Sequence, residues 1–199
     1  MRRVGLLGGT FNPPHIAHLI VAQSVREALD LDRMVLIPTA THALKGEAEA
    51  DPVDRARMAE LAVAGDATMA VDRIEIDRGG TSYTVDTLAE LGEREPDTTF
   101  YLVIGRDILG ELDEWKDPER LPELAEVVVV TRGLEGEGGT APELPFGGEC
   151  TFVPVPRLEI SSTEIRRRVA AGRSIRYWVP AGVESYVREH GLYERAYED

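Results

Sequence analysis

Two histidines near the N-terminus stand at a spacing that could bind phosphate. They follow a turn that contains Gly8 and Gly9, where the absent side chains let the backbone approach a ligand closely. His15 and His18 are three residues apart at a predicted helix start, so both imidazoles can point to one side, toward whatever the turn holds. A structural pair and a zinc pair are the alternatives. We favour phosphate because no cysteine or third histidine lies nearby to complete a zinc site.

A second group of polar residues lies nearer the C-terminus. Ser161, Ser162 and Thr163 form a run of hydroxyl residues at another predicted helix start, and Glu164 is placed to complete a capping box with Ser161. Arg166 follows within the first turn, so its guanidinium and the helix N-terminus could converge on one anion. The alternative is that these residues do no more than cap a helix.

The first group resembles a known signature. Residues 8–19 are similar to the histidine motif of the HxGH nucleotidyltransferase superfamily, with His15 and His18 as its two histidines. Two positions differ from that motif. Ala17 stands where the superfamily has a glycine, and Asn12 stands where it usually has an aspartate.

The second group, residues 160–166, resembles the other signature of the same superfamily, which binds the phosphates of ATP. The two resemblances imply that three residues are catalytic, namely His15, His18 and Arg166. They also imply that ATP contacts seven further residues of the signatures, namely Gly8, Gly9, Thr10, Phe11, Ser161, Ser162 and Thr163. A Rossmann-like nucleotidyltransferase fold follows from the same resemblance.

Residues 78–88 and 104–115 resemble one branch of that superfamily, the nicotinate mononucleotide adenylyltransferases. The C-terminal stretch 178–193 matches this branch as well, so the resemblance covers nearly the whole chain. It implies that the mononucleotide is held by Tyr83, Thr84 and Trp115, and that Gly105 and Asp107 lie along the adenosine. The alternatives are that Trp115 packs on the surface and that Asp107 caps a helix beginning at Ile108.

Lysine usage points to one more position. The chain contains twenty arginines and only two lysines, so a lysine kept against this bias suggests a compact charge that contacts phosphate. On this argument Lys45 is predicted to contact the mononucleotide. The alternative is that a lysine stands here by chance. The branch often has a proline and a histidine just before this lysine, whereas this chain has Ala43 and Leu44.

Together these residues predict the transfer of an adenylyl group from ATP to nicotinate mononucleotide, a step of NAD biosynthesis that releases pyrophosphate. The phosphate of the mononucleotide is the nucleophile and is already anionic, so catalysis reduces to alignment and charge neutralisation. Mg²⁺ is expected to arrive with ATP, because the sequence shows no obvious acidic metal cluster. The alternatives are transfer to phosphopantetheine, FMN or nicotinamide mononucleotide, and a nucleotide-binding regulator without catalysis. An aminoacyl-tRNA synthetase would need a lysine-rich loop, which is absent.

Composition restricts the partners. The net charge of −14 argues against nucleic acid and anionic membranes, although Arg157 to Arg176 form a small cationic segment with six arginines and two glutamates. No run of about 18 apolar residues suggests a membrane span. Cys150 is the single cysteine, which agrees with a reducing cytoplasm. The sequence does not indicate an oligomeric state, and it is compatible with a homo-oligomer.

The elements that must position these residues alternate along the chain. Apolar, β-branched runs predict parallel strands, and helical spacing between them predicts crossover helices, which is typical of a doubly wound α/β sheet. The strands are predicted at 3–7, 34–37, 99–104, 127–131 and 151–155, and the helices at 19–29, 54–64, 84–91, 118–124, 162–171 and 180–190. We expect a single domain over 1–199 with 160–199 as a C-terminal helical extension. The glycine-rich segment 133–149 is predicted to be a loop.

Overall fold

The computed structural model describes residues 1–42, 48–133 and 144–194. Its strands are β1 (Arg2–Gly9), β2 (Arg33–Pro38), β3 (Thr41–His42), β4 (Met69–Val71), β5 (Thr81–Ser82), β6 (Thr98–Gly105), β7 (Glu126–Arg132) and β8 (Thr151–Val155). Six of them form one parallel sheet in the order β4-β2-β1-β6-β7-β8, while β3 and β5 pair separately. The five predicted strands are confirmed. The three that were missed span two or three residues each, too few to give a periodic pattern.

The sheet order places the site. Counted along the chain, the six strands of the sheet follow the order 3-2-1-4-5-6, so the direction of winding reverses between β1 and β6. In sheets of this kind the carboxyl ends of the strands open into a crevice at that reversal, and ligands bind there. The sheet therefore directs the glycine turn after β1 and the segment after β6 into the same crevice.

The helices lie on both faces of the sheet and at its C-terminal side. They are α1 (Ile16–Ala28), α2 (Pro52–Val63), α3 (Ile74–Arg78), α4 (Thr84–Arg94), α5 (Leu121–Leu124), α6 (Ser162–Ala170) and α7 (Ala181–Glu189), with 3₁₀ helices at Arg106–Glu114 and Pro118–Arg120. The alternative that Asp107 caps a helix beginning at Ile108 is wrong. The 3₁₀ helix begins two residues earlier, at Arg106, with Gly105 at its cap position, so Asp107 lies inside the first turn.

Alternation along the strands explains why both faces are covered. Val127 and Val129 of β7 pack in one buried apolar cluster, and Val128 between them packs in another on the opposite face. Helices α3, α4 and α5 cover the first face, and α1 covers the second. The doubly wound parallel sheet predicted from the sequence is confirmed, because neither face of its central strands is left to solvent.

Helices α6 and α7 follow the last strand of the sheet and pack against α2. A separate apolar cluster joins Met58 of α2 with Ile165 of α6 and Val183 of α7. The backbone N–H of Ile16, at the start of α1, donates to the carbonyl of Trp178 over 3.0 Å. The C-terminal helices are therefore attached where the histidine segment enters α1. No helix in the described ranges combines the length and apolarity that crossing a membrane requires.

Candidate active site

An open cavity lies at the carboxyl ends of β1, β2 and β6, where the winding reverses. Its floor includes Gly8, Gly9 and Thr10 from the turn after β1, and its sides include Gly105 after β6. Tyr83, Thr84 and Trp115 line its other end. The structure thus brings the glycine turn and three of the four predicted mononucleotide residues to a single cavity, although they come from distant parts of the chain.

Two glycines of the first strand serve different purposes. A Cβ at Gly5 would lie 2.2 Å from Sδ of the buried Met34, so this glycine is required for close packing between strands. A Cβ at Gly8 would meet no heavy atom of the described residues within 4 Å, although Gly8 lines the cavity. The fold does not need a glycine at position 8, which leaves close approach of a ligand as its physical reason.

The two glycines give a matched pair of substitutions. Gly5→Ala is expected to lower the free energy of unfolding by about 1–3 kcal/mol through overpacking. Gly8→Ala is expected to leave that free energy unchanged and to lower the affinity for ATP by about 10-fold, the usual effect of one extra methyl in a filled site. Denaturant unfolding and an ATP titration check both. An unchanged ATP affinity in Gly8→Ala would place the nucleotide away from the turn.

The two histidines meet as predicted from their spacing. Their rings stack with centroids 3.6 Å apart and planes 17° apart. His18 Nδ1 accepts a hydrogen bond from the backbone N–H of His15 over 3.1 Å, so the proton of a neutral His18 ring must sit on Nε2. Phe11 is 2% exposed and its ring packs edge-on against His18 at 5.0 Å. The Phe11 side chain therefore supports His18 from behind.

Burial keeps both imidazoles neutral. It lowers the pKa of His15 from 6.5 to about 4, and it lowers the pKa of His18 well below 6.5, with the neighbouring His15 adding to the effect. Neutral rings at pH 7 act as hydrogen-bond donors and not as fixed cations. They can therefore approach a polyanion without the cost of burying two like charges side by side.

Residues of the second signature contact the loop between Gly9 and His15, which belongs to the first signature and which we call the phosphate loop. Ser162 Oγ donates to the carbonyl of Pro13 over 2.8 Å, a contact between residues 149 positions apart. Arg166 donates to the carbonyl of Asn12 over 2.9 Å. The two signatures that the sequence places at opposite ends of the chain are adjacent in the structure.

Ser161 caps the start of α6, which is one half of the predicted capping box. Ser161 Oγ accepts from the N–H of Glu164 over 3.2 Å. Arg166, whose side chain is 11% exposed, also forms an ion pair with Glu49 at 3.2 Å. Its guanidinium is thus held against the phosphate loop by a carboxylate, and any contact with an anion would be made from this position.

The part of the cavity that Tyr83, Thr84 and Trp115 line is built around the N-terminus of α4. Thr84 is the first residue of this helix, and its first N–H groups have no acceptor within the helix. Such an end favours a negative charge. Trp115 follows the 3₁₀ helix Arg106–Glu114, donates its backbone N–H to Leu112 and is half-buried against the core. It lines the cavity, so the alternative of simple surface packing is not what the structure shows.

The sequence interpretation missed Glu75 and Lys116, two of the charged residues that line the cavity. Glu75 is 7% exposed and accepts from Thr87 Oγ1 over 2.9 Å, and burial raises its pKa. Lys116 lines the cavity mouth, pairs with Asp86 at 2.9 Å and lies 5.1 Å from the centre of the Tyr83 ring. The scarcity of lysine that pointed to Lys45 applied equally to Lys116 and could have found it.

Other predicted residues stand as follows. Lys45 lies outside the described residues, as does most of the predicted loop at 133–149. Asp107 is exposed beside Gly105, where a Cβ would come within 2.3 Å of the Asp107 carboxylate. Thr163 is exposed in the first turn of α6. Within the described ranges no three His, Cys, Asp or Glu side chains group closely enough to hold a metal ion.

Comparison with known proteins agrees with this geometry. Residues 6–168 match the family model described as cytidylyltransferase-like, which places the chain in that class of nucleotidyltransferases. A relative from Thermus thermophilus, named "Probable nicotinate-nucleotide adenylyltransferase", is 44% identical over 96% of this chain and 99% of its own length. One of the same name from Salinibacter ruber is 42% identical over 96% and 97%. The chain belongs to the nicotinate-nucleotide adenylyltransferase family.

The fold is also shared with a solved structure. Nicotinic acid mononucleotide adenylyltransferase of Plasmodium falciparum, complexed with NaAD, aligns with a TM-score of 0.78 at 18% identity. The alignment covers 98% of this chain and 99% of that one. At this identity the likeness shows a common fold, and it extends through the C-terminal helices.

Proposed function

We propose that this chain transfers the adenylyl group of ATP to nicotinate mononucleotide, giving nicotinate adenine dinucleotide and pyrophosphate in NAD biosynthesis. One observation carries the proposal: both ATP signatures meet at the phosphate loop, and the cavity beside that loop ends at Thr84 and Trp115. The names of the relatives agree with this acceptor. Residues 1–199 would act as one nucleotidyltransferase domain, with 160–199 as its C-terminal extension.

The phosphate oxygen of the mononucleotide attacks the α-phosphorus of ATP, and the bond from that phosphorus to the leaving pyrophosphate oxygen breaks. The attacking group is already an anion, so no side chain has to remove a proton. His18, with its proton on Nε2, donates a hydrogen bond to the phosphates, and the stacked His15 supplies a second donor. Together with Arg166 they offset charge that develops as pyrophosphate leaves.

The adenosine is proposed to lie along Gly105 and Asp107, on the β6 side of the cavity. ATP phosphates would contact the backbone of Gly8 to Phe11 and the start of α6 at Ser161 to Thr163. Mg²⁺ is proposed to enter with ATP, held mainly by phosphate oxygens, because the described residues do not supply a three-ligand cluster. Lys45 is proposed as an additional phosphate contact of the mononucleotide. The sequence has a single cysteine, Cys150, so it cannot form a disulfide within the chain, which supports a cytoplasmic location.

The α4 N-terminus is the physical reason to prefer the acid form of the acceptor. Backbone N–H groups near Thr84 can donate to a ring carboxylate, and the helix dipole adds to the attraction. The amide form brings its own NH₂ donor to the same place and leaves donors facing each other. The direct test is kcat/KM for the two mononucleotides at saturating ATP with Mg²⁺, with pyrophosphate release as the signal. Equal values, a preference for the amide, or faster release with FMN or phosphopantetheine would reject this acceptor.

Trp115→Ala tests the ring site itself. Stacking and burial of a pyridine ring are worth about 1–2 kcal/mol. This change is therefore expected to lower the affinity for nicotinate mononucleotide by about 5- to 30-fold and to leave the affinity for ATP nearly unchanged. Separate calorimetric titrations of each ligand check it. Trp178, which packs against Arg168 in the C-terminal extension and does not line the cavity, provides the control Trp178→Ala. Equal losses for the two ligands in Trp115→Ala would remove Trp115 from the ring site.

A further inference from the structure

Asn12, in the middle of the phosphate loop, is held from several directions. It is 5% exposed, and its side-chain Nδ2 donates to the Glu49 carboxylate. Its Oδ1 accepts from the N–H of Ala50 over 3.3 Å and from the hydroxyl of Tyr193 over 2.8 Å. Its backbone carbonyl accepts from Arg166. Three parts of the chain therefore bind this one residue of the loop, namely the segment before α2, helix α6 and the segment after α7.

The orientation of the Asn12 amide follows from its partners. A carboxylate can only accept, so Nδ2 must face Glu49, and a backbone N–H can only donate, so Oδ1 must face Ala50. The hydroxyl of Tyr193 then has to donate to the same oxygen. Burial raises the pKa of Tyr193 well above its usual value, so the hydroxyl keeps the proton that this hydrogen bond needs.

An aspartate at position 12 could not satisfy the same partners. It would still accept from Tyr193 and Ala50, but it would place a carboxylate against that of Glu49 with no donor between them. Asparagine at this position is therefore matched to Glu49. The departure from the usual signature has a physical reason in this chain.

We propose that Asn12 and Tyr193 are positioning residues for adenylyl transfer, through which the C-terminal extension holds the phosphate loop in the shape that presents His15 and His18. Neither side chain has to touch a substrate in this role. The contact spans 181 positions of sequence, so it couples the end of the described chain to the turn after its first strand. The inference rests on the proposed function only in assigning phosphate binding to the loop.

Tyr193→Phe removes the hydroxyl alone, and Tyr186→Phe is its matched control. Tyr186 lies on α7 and donates over 2.8 Å to Asp54 of α2, and not to a residue of the phosphate loop. Both changes delete one tyrosine hydrogen bond in the extension, so both are expected to lower the melting temperature slightly. Tyr193→Phe alone is expected to lower kcat/KM for ATP by about 5- to 10-fold, the usual effect of one buried hydrogen bond, with the KM of the mononucleotide unchanged.

Hydrogen exchange gives a readout that does not depend on activity. In the absence of nucleotide, backbone amides in a peptide spanning 8–18 are expected to exchange faster in Tyr193→Phe than in wild type or Tyr186→Phe. If the wild type fails to transfer an adenylyl group, the proposed function fails and this comparison still decides the positioning role. Equal exchange in all three proteins, or equal activity losses in the two variants, would overturn it.

The match between Asn12 and Glu49 is tested by exchanging the two groups. Asn12→Asp is expected to lower kcat/KM for ATP by about 10-fold or more, because two carboxylates then face each other. Adding Glu49→Gln returns a donor to the pair but removes the ion pair of Glu49 with Arg166, so the double variant is expected to recover part of the loss. An active Asn12→Asp enzyme, or a double variant no better than the single one, would show that the pairing does not set the shape of the loop.

Discussion

Turnover with ATP should fall by about 100-fold or more when His18 is replaced by alanine, and by a similar factor for His15. These losses are expected because, in the proposed reaction, each ring supplies a donor that is already placed where charge develops in the transition state. The stacked geometry and the hydrogen bond between the two residues hold the rings before any ligand arrives. No reorganisation is then needed during the reaction, which is why removing one ring should affect kcat and not binding alone.

Steady-state kinetics with a thermal melt on each variant measures this effect. His190→Ala is the control, because His190 is exposed at the end of α7 and stacks on Tyr186. It should retain wild-type turnover. A folded His18→Ala enzyme with unchanged kcat would remove that ring from the reaction and leave it as a packing residue.

Stability should also decrease as the pH is lowered from 7 to 5, by about 2 kcal/mol on account of His15. Its pKa in the folded state is about 4, against 6.5 ordinarily. The unfolded chain therefore binds a proton at a pH where the folded chain does not, and acidification favours unfolding. The folded protein loses no stability through His15 above about pH 6.5. Below that pH the loss grows, and it is complete near pH 4. The lowered pKa of His18 acts in the same direction.

Denaturant unfolding at pH 7 and at pH 5 checks this on wild type and on His15→Ala. The variant is expected to lose less stability between the two values, since it has no imidazole at position 15 to protonate. Most carboxylates remain ionised at pH 5, so they contribute little to the difference. Identical losses in the two proteins would mean that His15 is not held neutral by burial.

Local patterns in the sequence determined most of the fold. The runs at 34–37 and 127–131 are short, apolar and rich in β-branched residues, and a strand needs little more than that to be recognised when both faces are buried. The glycine turn and the three-residue spacing of His15 and His18 are equally local, because the next turn of a helix fixes which side chains share a face. The hydroxyl run at Ser161 predicted its cap for the same reason.

Tertiary structure alone decided how those pieces become a site. The contact of Ser162 with Pro13, and that of Tyr193 with Asn12, join residues that no local spacing relates. The neutrality of the histidines depends on their burial in the folded chain, so it could not be predicted from the residue types. The alternative cap at Asp107 lies two residues beyond the cap position at Gly105, because several successive residues can begin a 3₁₀ turn and local spacing does not choose among them. The protonation state of a side chain, its contacts with residues distant in sequence and the residue at which a helix begins all depend on the packing of the folded chain. Local sequence patterns therefore predict them only weakly.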